Sequence, residues 1–256
     1  MKRILLTSLL ITINAYIVIG QDTVIFRKDV KETPRKKRPA DDQNIVKLAP
    51  LAFISGNIPV YFEREITPWF GMQVGVGITS KNYVRDIFSG AELSKPEILE
   101  TKWNDGSIDT YADESIGTEN KNRKYKSGFF VAAEPRIFFE SEGLEGTFIG
   151  LSYSRGKYNS TSKKVKAGAS VNGDPVFTNS TVAEFENISD LMVTFGSQTI
   201  YDRITLEYST GVGLRKINGE KYAYGRNFSG DFVDGISIIE KTKIAFNFSL
   251  KVGYHF

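Results

Sequence analysis

Charged residues in this chain recur at every second position within runs that are otherwise small or apolar. Examples are the triplets Glu63-Arg64-Glu65 and Glu134-Pro135-Arg136. Residues two apart in a β-strand lie on the same face, so such side chains can meet and neutralise one another. The charged residues that we assign to one shared face are Glu63, Glu65, Glu134, Arg136, Glu207, Lys243 and Lys251. They could form buried ion pairs or line an ion path.

His255 is the only histidine and therefore the natural candidate for a general base. A lipid-modifying or proteolytic site that uses histidine as its general base has that histidine close to a serine or aspartate. His255 lies one residue from the C-terminus, at the end of the last predicted strand. That end is opposite to the one where we expect chemistry outside the cell. We predict no catalytic residue and no enzyme activity, with a lipid-modifying enzyme kept as an alternative.

Alternating oxygen-bearing residues suggest a calcium loop at Asp105, Ser107, Asp109, Tyr111 and Asp113. The pattern fails because Thr110 stands where the loop glycine belongs and Ile116 where the bidentate glutamate belongs. The chain contains no cysteine, which excludes a thiol nucleophile and a cysteine metal site. We therefore predict no metal site and no cofactor, although weak divalent binding by this loop stays open.

The charged residues lie in segments that alternate as β-strands do. Apolar residues occupy one side of these segments and small or polar residues occupy the other. Helical periodicity is not sustained anywhere after the N-terminal segment. A soluble antiparallel sheet can show the same alternation. The predicted strands are 44–54, 58–66, 69–79, 128–140, 147–155, 185–196, 202–215 and 236–256.

The connections between these strands are unequal in length. Three are long and polar, 80–127, 156–184 and 216–235, and those between them are short. This segregation is typical of membrane barrels, whose tight turns face the periplasm. We predict an all-β fold, an eight-stranded antiparallel up-and-down transmembrane β-barrel with three long extracellular loops. The aromatic residues expected to make loop contacts are Trp103, Tyr111, Tyr125, Tyr158, Tyr222 and Tyr224.

An eight-stranded barrel has an interior that side chains can fill, which favours a packed lumen over a pore. A narrow channel for ions or small solutes is the alternative. A soluble ligand-binding barrel would reverse the two faces, with large apolar side chains inward.

The N-terminal segment has a basic head, an apolar run from 4 to 19 and a small residue before Gln21. This pattern predicts a cleaved secretory signal at 1–20, with an uncleaved anchor as the alternative. Residues 21–43 mix basic and acidic residues with two prolines, and we predict a mobile charged periplasmic tail. The barrel is assigned to 44–256. Without the signal the chain is nearly neutral, which argues against a nucleic-acid partner.

Several stretches resemble the small outer-membrane β-barrels of the Bacteroidota, of the broad OmpA/OmpX-like eight-stranded class. They are the signal ending before Gln21, Asn-Ile-Val-Lys-Leu-Ala-Pro-Leu at 44–51, Tyr-Phe-Glu-Arg at 61–64 and the terminal Val-Gly-Tyr-His-Phe. The resemblance implies a bacterial outer-membrane location but no single activity. It also implies that the last strand is the signal read by the barrel-assembly machinery, through Leu250, Val252, Tyr254 and Phe256.

We therefore expect a structural or binding protein that acts through its extracellular loops. The partners implied are outer-membrane lipid and lipopolysaccharide, the barrel-assembly machinery during biogenesis, and another outer-membrane or surface protein.

Overall fold

The computed structural model describes residues 44–80, 89–92, 97–104, 106, 108–109, 123–139, 143–226 and 229–256. The predicted signal segment 1–20 and tail 21–43 lie outside the described residues. Within these ranges the regular structure is antiparallel β-sheet with one short 3₁₀ helix, Pro50–Phe53. None of the described helical structure is long and apolar enough to cross a membrane.

Twelve strands are described, of which eight form a closed ring. The strands are β1 (Asn44–Leu48), β2 (Asn57–Thr67), β3 (Phe70–Thr79), β4 (Ser89–Glu92), β5 (Glu97–Trp103), β6 (Ile108–Asp109), β7 (Lys124–Lys126), β8 (Gly128–Phe138), β9 (Gly146–Val171), β10 (Asp174–Tyr201), β11 (Ile204–Arg226) and β12 (Phe232–His255). The ring follows the order β1-β2-β3-β8-β9-β10-β11-β12, and β12 returns to β1 with Ile45 opposite His255. The predicted count and antiparallel order of eight principal strands are thus confirmed.

The two ends of the ring differ in their connections. At the end that we call lower, β2 and β3 are joined by Pro68 and Trp69, and β10 and β11 by Asp202 and Arg203. At the upper end, β9 and β10 extend past the neighbouring β8 and meet in the two-residue turn Asn172-Gly173.

Two of the three predicted long loops are wrong. Most of 156–184 and 216–235 belongs to β9, β10, β11 and β12, which continue as two paired hairpins. These polar stretches hold enough β-branched and aromatic residues to bury a small apolar core of their own. That upper core contains Val165, Tyr222 and Phe232, with Phe177, Val182 and Tyr224 packed against it.

The first strand also differs from its prediction over 44–54. β1 ends at Leu48, and Pro50 begins the 3₁₀ helix because proline has no N–H for a strand ladder and fits the first turn of a helix. The remaining predicted loop, 80–127, contains the short strands β4 to β7. β4 and β5 pair with the edge of β12 that lies beyond β1, and β7 pairs with β9.

The two faces of the ring strands have different chemistry. On β3, Gly71, Gln73 and Gly75 are buried inside the ring, while Val74 and Val76 are exposed outside it. The same alternation recurs on the other strands of the ring. Apolar side chains therefore cover the outside, and polar or small ones face inward.

The hairpin turn gives a test of the upper strands. Asn172 and Gly173 have φ values of 54° and 85°, the left-handed conformation of a two-residue hairpin turn. Gly173→Val should lower the stability of this hairpin by about 1–2 kcal/mol because a β-branched residue is strained there. Hydrogen exchange of the upper parts of β9 and β10 should accelerate. Gly173→Asn is the control, since asparagine tolerates this conformation, and equal exchange in both variants would contradict the assignment.

Candidate functional site: a buried ion cluster and the cavity above it

Six charged residues meet inside the lower half of the ring, and we call them the ion cluster. The cations are Lys47, Arg136 and Lys251, and the anions are Glu63, Glu134 and Glu207. All six side chains are buried. Equal numbers of opposite charges make the cluster neutral, so each buried charge has counter-charges that offset its desolvation cost.

Glu207 on β11 lies at the centre of the ion cluster. One of its oxygens lies 2.6 Å from Lys47 Nζ and 2.9 Å from one terminal nitrogen of Arg136. Its other oxygen accepts hydrogen bonds from the second terminal nitrogen of Arg136 at 2.9 Å and from Lys251 Nζ at 2.8 Å. One carboxylate thus binds all three cations, which lie on β1, β8 and β12.

The remaining members complete the contacts around Glu207. Lys47 Nζ lies 2.5 Å from Glu63, which also accepts a hydrogen bond of 2.9 Å from Arg136. Arg136 Nε lies 3.1 Å from Glu134. Two buried amides take part: Gln73 accepts from Arg136 and Lys251, and Gln198 accepts from Lys47.

An apolar layer closes the interior below the ion cluster. It consists of Ile45, Phe138, Leu144 and Phe148, with Ile200 packed against it. The Phe148 ring lies 4.3 Å below the Arg136 guanidinium, and Gln198 donates to the Leu144 carbonyl. Leu144, which precedes β9, therefore packs inside the ring. When the two amides are included, every ring strand contributes a side chain to one of the two layers.

A cavity of about 340 Å³ lies above the ion cluster. Its inner wall carries hydroxyls from β9, β10 and β11, at Ser152, Ser154, Thr194 and Ser209. Glu134 and Lys251 reach it from the ion cluster, and Tyr61, with its ring 4.7 Å from Lys251 Nζ, lies beside them.

A second polar cluster lies between the hairpins, above the cavity. Arg123 donates to both oxygens of Glu184 at 2.7 and 3.1 Å, and Ser160 donates at 2.8 Å. Burial alone raises the pKa of Glu184, but the hydrogen bonds and charge of Arg123 outweigh it and hold that pKa below its ordinary value. Glu184 is therefore ionised at neutral pH.

The structure brings together five of the seven charged residues that the sequence assigned to one face. They are Glu63, Glu134, Arg136, Glu207 and Lys251. Glu65 is half-buried near the lower end of β2 and makes no ion pair with the described residues. Lys243 is buried higher in the ring, eight residues from Lys251, on the strand position opposite Arg215.

One member of the ion cluster, Lys47, was missed from the sequence, as were the two amides that accept hydrogen bonds from the cluster, Gln73 and Gln198. Lys47 shares the inward parity of β1 with Ile45, so the alternation contained the signal for it. The two glutamines carry no charge and differ little from other polar residues of the strands.

Two of the six predicted loop aromatics hold the upper end together. Tyr222 is buried in the upper core, where its hydroxyl accepts from the Val165 N–H and donates to Asp234 at 3.2 Å. It is therefore not a surface contact, and Tyr224 packs against it.

The other four predicted loop aromatics differ in exposure. Trp103 is half-buried and Tyr125 is exposed. Tyr158 lines the cavity and donates to Asn57 at 2.6 Å, and Tyr111 lies outside the described residues.

The predicted assembly residues follow the outward face of β12. Val252, Tyr254 and Phe256 are exposed and Leu250 is half-buried, whereas His255 is buried on the inner face. Among the described residues, no group of three or more histidine or acidic side chains is arranged to hold a metal ion.

Comparison of the chain with protein-family models and with curated proteins finds no match.

The ion cluster predicts a large stability difference between two glutamates of the inner face. Glu207→Gln removes the carboxylate shared by three cations, leaves one buried positive charge in excess, and should lower the free energy of unfolding by about 3–5 kcal/mol. Glu65→Gln is the matched control, with an expected change within about 0.5 kcal/mol. Urea unfolding of the purified protein measures both, and equal stabilities would refute the central role of Glu207.

Proposed function

We propose that this chain is an outer-membrane β-barrel without enzyme activity that binds lipopolysaccharide at its upper end. The observation that carries the membrane assignment is the distribution of polarity across the ring wall. A barrel folded in water places its large apolar side chains inside, whereas here the inside holds the ion cluster and the outside is apolar. Outward residues exposed on different strands include Val76, Val131, Leu151, Val193, Leu206 and Phe248.

Exposed aromatic residues at the lower rim support the same proposal. They are Trp69, Phe139, Tyr201, Tyr254 and Phe256, with exposed fractions between 48 and 75%. Rings with one apolar and one polar surface are favoured at the boundary between hydrocarbon and water, and membrane barrels carry such a girdle. A closed ring also satisfies the need of membrane strands for hydrogen-bonded neighbours on both edges.

The two closed layers of the lower interior favour binding over conduction. The apolar layer and the ion cluster fill the section of the ring between its lower end and the cavity. An ion would have to separate the Glu207 contacts in order to pass. This argues against a narrow channel, and the absence of a histidine beside the cavity hydroxyls among its lining residues argues against acyl-transfer chemistry.

A basic outward face on the upper strands supports lipopolysaccharide as the partner. Lys124 and Lys126 lie opposite Thr161 and Asn159, so they share the outward face of β9. Arg155, Lys157 and Lys163 lie on that same face. Basic side chains above an apolar belt are placed to bind the phosphate groups of a surrounding anionic glycolipid.

The membrane assignment predicts the behaviour of the protein in cells and on gels. We expect it in the outer-membrane fraction, with different gel positions before and after boiling, because closed membrane barrels resist detergent until heated. In planar bilayers the wild type should give no conductance steps above background, because the lower interior is closed. A periplasmic, heat-insensitive protein would refute the membrane assignment, and steady channel openings would refute the closed interior.

The basic face predicts a specific loss of lipopolysaccharide binding. The double variant Lys124→Ala/Lys126→Ala should bind lipopolysaccharide vesicles roughly 10–30-fold more weakly, since each lysine near an anionic surface contributes about 1 kcal/mol. Lys216→Ala is the control, because Lys216 forms an ion pair with Glu240 elsewhere on the upper strands. Equal binding by the double variant and the control would contradict the assignment of this face.

A further inference from the structure

Within the part of the chain that the structure describes, the strand ladder of the ring wall is interrupted beside the cavity. β1 contains only five residues, and its last pair with β12 is Leu48 opposite Val252. The next described pair on that edge of β12 is Ala245 opposite Ser89 of β4. Among the described residues, 246–251 of β12 therefore have the 3₁₀ helix Pro50–Phe53 beside them and no strand on this edge, and we call this part of the wall the window.

The cavity and the window are continuous. Phe246 and Phe248 line the cavity although they belong to the outer face of β12 and are more than half exposed. Asn247 has the inward parity of β12, yet it is exposed, and it also lines the cavity. Leu51 and Ile54, on the opposite side of the window, are exposed lining residues as well. The cavity thus reaches from the interior hydroxyls to the apolar outer surface.

We infer that the window admits a single-chain amphiphile with an uncharged polar head from the bilayer into the cavity. This inference rests on the proposed membrane location. Strand residues span about 3.3 Å each and membrane strands are tilted by about 40°, so the window lies roughly 10–25 Å above the lower end of β12. That height falls within an apolar belt about 25 Å tall. The window therefore opens toward acyl chains.

The chemistry of the lining selects the head group. The charged residues that reach the cavity already have partners: Glu134 with Arg136, Lys251 with Glu207, and Arg215 with Asp190 at 2.7 Å. A charged head would enter without a free counter-charge and would be costly to bury. The hydroxyls of Ser152, Ser154 and Ser209 instead suit a head with hydroxyl or ester groups, such as glycerol.

The size of the cavity limits the ligand to one chain. Its volume of about 340 Å³ corresponds to about eleven water molecules at about 30 Å³ each. This is near the lower limit of about 300 Å³ for small-molecule sites. A diacyl phospholipid is too large, whereas a monoacylglycerol can place its head among the serines and leave its chain between Phe246, Phe248 and Leu51.

Cysteine labelling can test the window because the chain has no cysteine of its own. Ser154→Cys places a thiol in the cavity, Leu206→Cys places one on the outer face, and Thr205→Cys places one in the closed lower interior. Each variant is folded in phosphatidylcholine vesicles and treated with a lipid-soluble alkyl maleimide or a membrane-impermeant sulfonated maleimide. We expect Ser154→Cys and Leu206→Cys to react with the lipid-soluble reagent alone, and Thr205→Cys with neither.

Monododecanoylglycerol is the probe for the ligand class. At about ten times its half-effect concentration it should slow labelling of Ser154→Cys about tenfold by mass action and leave Leu206→Cys unchanged. Dodecanoate, which carries a charge at pH 8, should protect several-fold less. The inference is overturned if Ser154→Cys reacts with the impermeant reagent, if monododecanoylglycerol gives no protection, or if dodecanoate protects equally well.

These outcomes are distinct from failure of the proposed function. If the protein is not inserted in the bilayer, Leu206→Cys will react with the impermeant reagent and the band will not shift on boiling. If the protein is inserted but the window does not admit ligand, Leu206→Cys will behave as expected and only Ser154→Cys will depart from its predicted pattern.

Discussion

The Glu207 carboxylate binds Lys47, Arg136 and Lys251, which come from β1, β8 and β12. Inside a narrow ring these charges have little access to water, so each must find its counter-charge among the others. That requirement fixes which strands carry charges and how they are registered. The ion cluster also leaves no room for side chains on some neighbouring strand positions. A Cβ at Gly150 would lie 2.6 Å from the Thr194 hydroxyl and 2.7 Å from the Glu134 carboxylate. The closed lower interior follows from this one neutral arrangement.

The strand order and the two faces of the ring could be predicted because a two-residue period is a local property of the sequence. The lengths of the hairpins could not. The stretches 156–184 and 216–235 look like polar loops, and they form strands because each finds a partner strand and a shared core around Tyr222, which is a tertiary effect. The early end of β1 could have been predicted, because Pro50 has no N–H at a position where an eleven-residue strand would need one.

For the interior, sequence alternation identified five of the six charged residues of the ion cluster but not the levels along the ring at which inward side chains lie. Lys243 and Lys251 have the same parity, yet only Lys251 reaches Glu207, because the register between strands sets the level at which side chains meet. The cavity and the window were beyond prediction for a related reason. They arise where the short β1 ends and no described strand continues along that edge of β12, and this depends on the relative lengths of strands that are far apart in the chain.

The short β1 also has a consequence for the order in which the ring forms. β9, β10 and β11 pair with their neighbours in sequence through tight turns, but Ile45 pairs with His255, more than 200 residues away. Joining such distant residues carries the largest loop-closure entropy in the ring, for a ladder of only four pairs. The β1–β12 pairing is therefore expected to form last, when Lys47 on β1 binds the carboxylate of Glu207, which already has Lys251 opposite it in the β11–β12 hairpin. Closure of the ring and neutralisation of its interior are then a single kinetic event.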